Sequence, residues 1–130
     1  MTKSEVIIAI ERLKKVFQKL KEATIKAKDD LDRDGVIQRF EFTTELLWKT
    51  LKIVLEYQSI DASQGPKYVV KQAFKFGYIP DDEIILDILN DRNQTSHIYE
   101  EKTAEEIYTR ISKIYVSKIE EIINHLESKV

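Results

Sequence analysis

The sequence predicts an all-α fold, an antiparallel up-and-down bundle of four main helices plus one short helix. Apolar residues recur at spacings of three and four along most of the chain, no stretch alternates with the period of two typical of strands, and the periodic segments are joined by short connections. The 130 residues are 42% hydrophobic, which is enough for one core. Residues 1–130 are therefore expected to form a single domain.

The first two predicted helices are the longest. The first runs from about Ser4 to Lys28 and opens with a possible capping box between Thr2 and Glu5. Its inward positions are Ile7, Ile10, Leu13, Phe17 and Leu20. The second runs from about Gly35 to Gln58, with one apolar stripe formed by Val36, Ile37, Phe40, Thr44, Leu47, Trp48, Leu51, Val54 and Leu55. Further apolar residues on its opposite side, Phe42, Leu46 and Ile53, indicate either a central position or contact with a second chain in a homodimer.

Turn and capping residues mark the remaining helices. Gly65 and Pro66 open a short third helix, which Gly77 and Pro80 close. Asp81 caps a fourth helix that extends to about His97. A second capping box, Thr103 with Glu106, starts the last helix, whose inward positions are Ile107, Ile111, Ile114, Ile122 and Leu126.

Composition excludes several classes of protein. The chain has no cysteine, so disulfides and thiolate metal sites are excluded. No run of about 18 apolar residues and no leader-like N-terminus is present, so we expect no membrane contact and a cytoplasmic location. A net charge of −2 disfavours broad attraction to nucleic acid.

The stretch DLDRDGVIQRFE, residues 30–41, matches the calcium-loop pattern D-x-D-x-D-G-x5-E. Its acidic positions are Asp30, Asp32, Asp34 and Glu41. A calcium loop would delay the following helix, yet Val36 is already in phase with the apolar stripe. We therefore expect Asp34 to cap the helix and no metal to bind, with an EF-hand-like calcium binder as a distant alternative.

The end of the fourth helix carries the strongest chemical signal. Within a sector of about 80 degrees, Arg92 continues the apolar stripe of that helix, made by Ile85, Ile88, Leu89, Ser96 and Tyr99. A buried guanidinium needs an acid, carbonyl groups or an anionic ligand. One interpretation is structural: Arg92 pairs with a core acid and His97 caps the helix end. The other is an anion site, in which Asn93 and His97 share an adjacent face.

The segment RNQTSHIY, residues 92–99, resembles the R-x4-H-x-Y motif of the HEPN superfamily (higher eukaryotes and prokaryotes nucleotide-binding). The stretch GVIQRFEFTTELLWKTLK resembles the second helix of one bacterial and archaeal branch, the nucleotidyltransferase substrate-binding proteins, which are similar to HepT toxins. GPKYVVKQAFKFGYI and TAEEIYTRI extend the likeness, which covers about residues 9–123.

The resemblance implies a partner for a minimal nucleotidyltransferase and a homodimer in which two motifs line one cleft. It further implies a metal-independent endoribonuclease with Arg92 and His97 as catalytic residues, Asn93 supporting phosphate or nucleotide binding, and no cofactor. Tyr99 would then accept AMP from the transferase, which silences the toxin. The alternative is a non-catalytic subunit that binds nucleotide or substrate for the transferase.

Overall fold

The computed structural model describes residues 1–130 and contains helices without any strand. The helices are α1 (Lys3–Lys26), α2 (Asp30–Tyr57), α3 (Pro66–Lys75), α4 (Glu83–Gln94), α5 (Glu101–Arg110) and α6 (Val116–Lys129). A 3-10 turn, Thr95–His97, follows α4, and a π-helical stretch, Ile111–Tyr115, joins α5 to α6 without a break. The predicted bundle of four main helices and one short helix is confirmed, since α5, the π-helical stretch and α6 form one long helix. None of the helices combines the length and apolar character needed to span a membrane.

Helix α1 begins as its capping residues predict. Thr2 Oγ1 accepts a hydrogen bond from the Glu5 backbone N–H at 3.2 Å, and the Thr2 N–H donates to Glu5 Oε2 at 3.2 Å. This reciprocal pair satisfies two of the backbone donors that a helix start leaves free. The inward prediction for Ile7 is wrong, because Ile7 is 49% exposed and Val6 lies in the core instead.

Helix α2 lies centrally and contacts α1, α3, α4 and α5. Its predicted stripe is buried apart from Trp48, which is half-buried. The central position accounts for the apolar residues on its second side, because Leu46 and Ile53 are partly buried against the same core. Phe42 remains 55% exposed.

The predicted start of α2 is wrong. Asp29 is the N-cap, with Oδ1 accepting from the Asp32 N–H at 2.8 Å, so Asp34 lies inside the helix rather than at its cap. Acidic residues at the first turn, Asp30 and Asp32, suit the positive end of the helix dipole. The calcium-loop pattern is therefore continuous α-helix rather than a coordinating turn, and the structure shows no group of three or more acidic or histidine side chains that could hold a metal ion.

Two glycines shape the connections around α3. Gly65 has φ +89° before Pro66 at the first helical position, and Gly77 has φ +84° just beyond the helix end. Residues with a Cβ rarely adopt these left-handed conformations. Asp81 then binds a free backbone donor at the start of α4, because its Oδ1 accepts a hydrogen bond from the Glu83 N–H at 2.9 Å.

The last helix departs from its prediction at two points. It begins at Glu101, and Thr103 Oγ1 donates to Glu100 Oε2 at 3.2 Å, so the predicted capping box with Glu106 does not form. Ile114 is 42% exposed rather than inward. A π-helical turn holds more residues than an α-helical turn, so the position three residues after Ile111 turns away from the core and the position four residues after it faces inward. Tyr115 therefore takes the inward position instead of Ile114.

Candidate functional site

The motif residues lie where α4 ends. Arg92 and Asn93 belong to the last turn of α4, His97 ends the 3-10 turn, and Tyr99 follows two residues later. Two short side chains bond back to this end: Thr95 Oγ1 donates to the Arg92 carbonyl at 2.7 Å, and Ser96 Oγ donates to the Asn93 carbonyl at 3.4 Å. Such local bonds compete with regular helix.

The change to 3-10 geometry decides which motif side chains face solvent. Beyond Gln94 the α-helical phase is lost, because a 3-10 turn holds only three residues. The prediction that Ser96 and Tyr99 continue the apolar stripe is therefore wrong: Ser96 is exposed and Tyr99 is 77% exposed.

His97 and Tyr99 contact each other at the surface. The Nδ1 atom of His97 lies 3.4 Å from the Tyr99 hydroxyl oxygen, and the two rings meet edge to face with centroids 6.0 Å apart. The side chain of His97 is exposed and makes no other hydrogen bond, so it does not cap the helix end. An accessible imidazole beside a phenol can exchange a proton with it or with a bound ligand.

Arg92 is directed towards α2. Its side chain is 31% exposed, and its Nη1 and Nε atoms lie 4.0 Å from Glu41 Oε2 and 3.8 Å from Glu45 Oε1. The Nε atom is buried and has no hydrogen-bond partner. The structural interpretation of Arg92 is correct in that acids neighbour it, although both acids are partly exposed rather than in the core.

Asn93 is exposed, and no hydrogen bond or ion pair joins Arg92, Asn93 and His97 to one another. The chain therefore presents a half-buried cation and an exposed imidazole at one helix end, each with its own contacts. A surface cavity of about 590 Å³ lies elsewhere, where α2 leads into α3, and is lined by Lys52, Glu56, Ser59, Ile60, Asp61, Ala62 and Ser63.

A buried polar cluster supports this end of α4, and sequence reasoning missed it. Asp91 is 5% exposed, and its carboxylate accepts from Arg110 Nε at 2.6 Å and Nη2 at 2.9 Å. It also accepts from the Tyr115 hydroxyl, whose ring stacks on Phe40 at 5.7 Å. Asp91 falls three residues after Ile88 on the inward stripe, and this position could have identified it as a buried acid. Its partners, Arg110 and Tyr115, lie 19 and 24 residues further along the chain, so the sequence pattern did not identify them.

The electrostatics of the cluster follow from its geometry. The hydrogen bond with Asp91 raises the pKa of Arg110 above its usual value. Burial, followed by the hydrogen bond to Asp91, raises the pKa of Tyr115 well above the normal tyrosine range. Arg110 therefore stays a cation and Tyr115 stays a neutral donor, and both donate to the carboxylate of Asp91, the residue that precedes Arg92 in the chain.

A second ion pair fixes the chain after Tyr99. Arg33, at the start of α2, donates from Nη1 to Glu101 Oε1 at 2.6 Å and from Nη2 to Oε2 at 3.3 Å. This bond raises the pKa of Arg33 and lowers the pKa of Glu101. It ties the start of α5 to α2, so both ends of the motif segment are held by long-range arginine–carboxylate contacts.

Comparison with known proteins identifies the family. A family model described as nucleotidyltransferase substrate binding protein like matches residues 4–128. The chain is similar to the Probable ribonuclease HepT of Haemophilus influenzae, with 33% identity over 86 residues, which cover 63% of this chain and 59% of that protein. The match thus spans less than two thirds of this relative's length.

Two solved structures share the fold. A Haemophilus influenzae protein, described as revealing the fold of a substrate binding domain of a nucleotidyltransferase, superposes with TM-score 0.80 and 25% identity, covering 91% of this chain and 98% of its own. A protein from Thermus thermophilus gives TM-score 0.79 and 31% identity, covering 88% and 98%. The resemblance found in the sequence is confirmed, and the chain belongs to the nucleotidyltransferase substrate binding protein-like family, the HepT-like branch of the HEPN superfamily.

Proposed function

We propose that this protein is a HepT-like ribonuclease toxin that cleaves RNA without a metal ion and works in the cytoplasm beside a minimal nucleotidyltransferase. Family membership and the similarity to a HepT ribonuclease support the proposal. The observation that carries it is the end of α4, where a half-buried Arg92 precedes an exposed His97 in contact with the Tyr99 hydroxyl.

The proposed chemistry uses the two motif side chains as a proton carrier and an anion binder. His97 takes the proton of an RNA 2′-hydroxyl as its oxygen attacks the neighbouring phosphorus, and a protonated imidazole then returns a proton to the departing 5′-oxygen. Arg92 stabilises the extra negative charge of the pentavalent phosphate, and Asn93 supports phosphate binding. The products are a 2′,3′-cyclic phosphate and a free 5′-hydroxyl.

A homodimer with both motifs facing one cleft completes the proposal. In this dimer Phe42, which is 55% exposed and follows Glu41 in α2, would lie at the contact between the two chains. Light scattering should report a dimer at micromolar concentration. A monomer under those conditions would contradict this part of the proposal.

The test of cleavage compares motif variants with matched variants elsewhere. Partner-free, unmodified protein should cleave single-stranded RNA, and His97→Ala or Arg92→Ala should lower the rate by at least about 100-fold. His125→Ala and Arg12→Ala remove the same residue types outside the motif and should cleave at the wild-type rate. EDTA should make no difference. Full cleavage by His97→Ala would contradict the proposed proton transfer.

Tyr99 is the proposed site of control by the partner. Its hydroxyl oxygen would attack the α-phosphorus of ATP in the transferase, the bond to pyrophosphate would break, and the phenolic proton could pass to the adjacent His97 Nδ1. The attached AMP places a phosphodiester anion and a nucleoside at the motif, which would block RNA. Co-expression with the transferase should add AMP to wild type and to Tyr57→Phe but not to Tyr99→Phe, as measured by peptide mass spectrometry.

A non-catalytic subunit is the second candidate, favoured by the family description and by the description of the Haemophilus influenzae fold. In that case Arg92 and Asn93 would bind nucleotide for the transferase without cleaving RNA. Nucleotide binding that Arg92→Ala abolishes, together with no cleavage by the wild type, would select this candidate.

A further inference from the structure

Two carboxylates of α2 flank the guanidinium of Arg92. Glu41 and Glu45 are four residues apart, so they lie on the same face of the helix. Their oxygens lie 4.0 Å from Arg92 Nη1 and 3.8 Å from Arg92 Nε. Any anion that binds Arg92 must approach beside these two negative charges.

These ion pairs differ from the other arginine–carboxylate contacts of the fold. Arg110 and Arg33 each donate two hydrogen bonds to one carboxylate, with closest distances of 2.6 Å. Arg92 donates none to its two acids, whose oxygens lie 4.0 and 3.8 Å from its nitrogen atoms. The two carboxylates therefore hold Arg92 by charge at longer range, and an anion that makes stronger contacts can replace them.

Glu45 also has a second cation within reach. Its Oε2 atom lies 3.7 Å from Lys49 Nζ, while its Oε1 atom faces Arg92. The side chains of Glu41 and Glu45 are 32% and 42% exposed, so either can rotate towards water. A displaced Glu45 carboxylate therefore retains Lys49 as a partner.

We propose that Glu41 and Glu45 compete with the RNA phosphate for Arg92 and thereby limit how tightly the motif binds RNA. The inference rests on the proposed RNA-binding role of Arg92. Both glutamates act through Arg92 by occupying and screening it, and neither takes part in the reaction. RNA binding requires the phosphate to replace the two carboxylates, with Glu45 moving to Lys49.

The experiment measures binding separately from cleavage. A fluorescein-labelled single-stranded RNA with 2′-O-methyl groups cannot be cut by 2′-hydroxyl attack, and fluorescence anisotropy gives its Kd. Because exposed charge pairs contribute modest coupling, Glu41→Gln and Glu45→Gln should each tighten binding by about threefold, and the double variant by about tenfold. Glu22→Gln removes an exposed acid of α1 and should change Kd less than about twofold. Glu45→Asp keeps the charge and should remain close to wild type.

The gains must depend on Arg92. Added to Arg92→Ala, the two glutamine substitutions should leave binding as weak as in Arg92→Ala alone, and tightening in that background would overturn the inference. Equal tightening by Glu22→Gln would also overturn it, since the effect would then be general charge. If Arg92→Ala abolishes binding while the glutamine variants bind like wild type, the inference fails and the proposed function stands. If neither wild type nor any variant binds RNA, both fail.

Discussion

Replacing Arg110 by methionine would leave the buried carboxylate of Asp91 without its cation. The change removes two hydrogen bonds, of 2.6 and 2.9 Å, and keeps the donation from the Tyr115 hydroxyl and most of the stem packing. Breaking a fully buried ion pair costs about 3–5 kcal/mol. Because the Arg110 side chain is 38% exposed, water can reach part of the site, and we expect a loss of about 2–3 kcal/mol in the free energy of unfolding.

Urea unfolding followed by circular dichroism measures this loss. For a chain of this size it corresponds to a drop in Tm of about 10 °C. Asp91→Asn combined with Arg110→Met should cost less than the sum of the single changes, because the double variant leaves no unpaired charge. Lys118→Met, which removes an exposed cation of α6, is the control and should stay within about 0.5 kcal/mol of wild type. A similarly small effect of Arg110→Met would refute the reasoning.

The same cluster predicts a loss of stability at alkaline pH. The pKa of Tyr115 is raised in the folded protein, whereas an unfolded tyrosine ionises near about pH 10. Above that pH the unfolded state binds fewer protons than the folded state, so stability falls as pH rises further. Tyr115→Phe should remove this part of the decline. An unchanged alkaline slope in that variant would contradict the assignment.

Three further predictions concern other parts of the chain. Asp61 accepts hydrogen bonds from the Ser63 hydroxyl and N–H, and these bonds lower the pKa of Asp61. The contribution of Asp61 to stability is therefore present above about pH 4 and is lost as pH falls through the folded pKa. An NMR titration of Asp61 should show a midpoint that Ser63→Ala raises. Ser59 has φ +58°, so Ser59→Gly should stabilise the protein by about 1 kcal/mol in urea unfolding, and a loss would contradict the strain. Calorimetry should detect no calcium binding at micromolar concentration, whereas a one-to-one isotherm abolished by Glu41→Gln would refute that prediction.

Helix periodicity and some local caps could be read from the sequence because each depends on neighbouring residues. The capping box of α1 and the stripe of α2 are of this kind. The start of α2 could not be read, since Asp29, Asp30, Asp32 and Asp34 are all plausible caps. In the structure Asp29 is the cap, and Arg33, inside the helix, pairs with Glu101, which lies 68 residues away.

The resemblance to a known family predicts the residues of the candidate site. It does not predict the side chains that contact them. The motif pattern selects Arg92, Asn93, His97 and Tyr99, and their roles remain predictions. Periodicity assumed that α4 keeps its phase to Tyr99, yet the structure changes to 3-10 geometry after Gln94. The neighbours of Arg92 come from α2, and no local pattern specifies such long-range contacts.

The π-helical stretch has the character of a one-residue insertion in an otherwise regular helix. Ile111 and Ile119 are eight residues apart and both face the core, whereas an α-helix repeats its face more closely after seven. Deleting one residue, such as Ser112, would therefore let both halves of the helix keep their buried faces in plain α-helical geometry. The same deletion in the middle of α1 would turn one half of its apolar stripe towards water. A one-residue deletion should thus be tolerated better here than in α1, at the expense of the geometry that brings Tyr115 to Asp91.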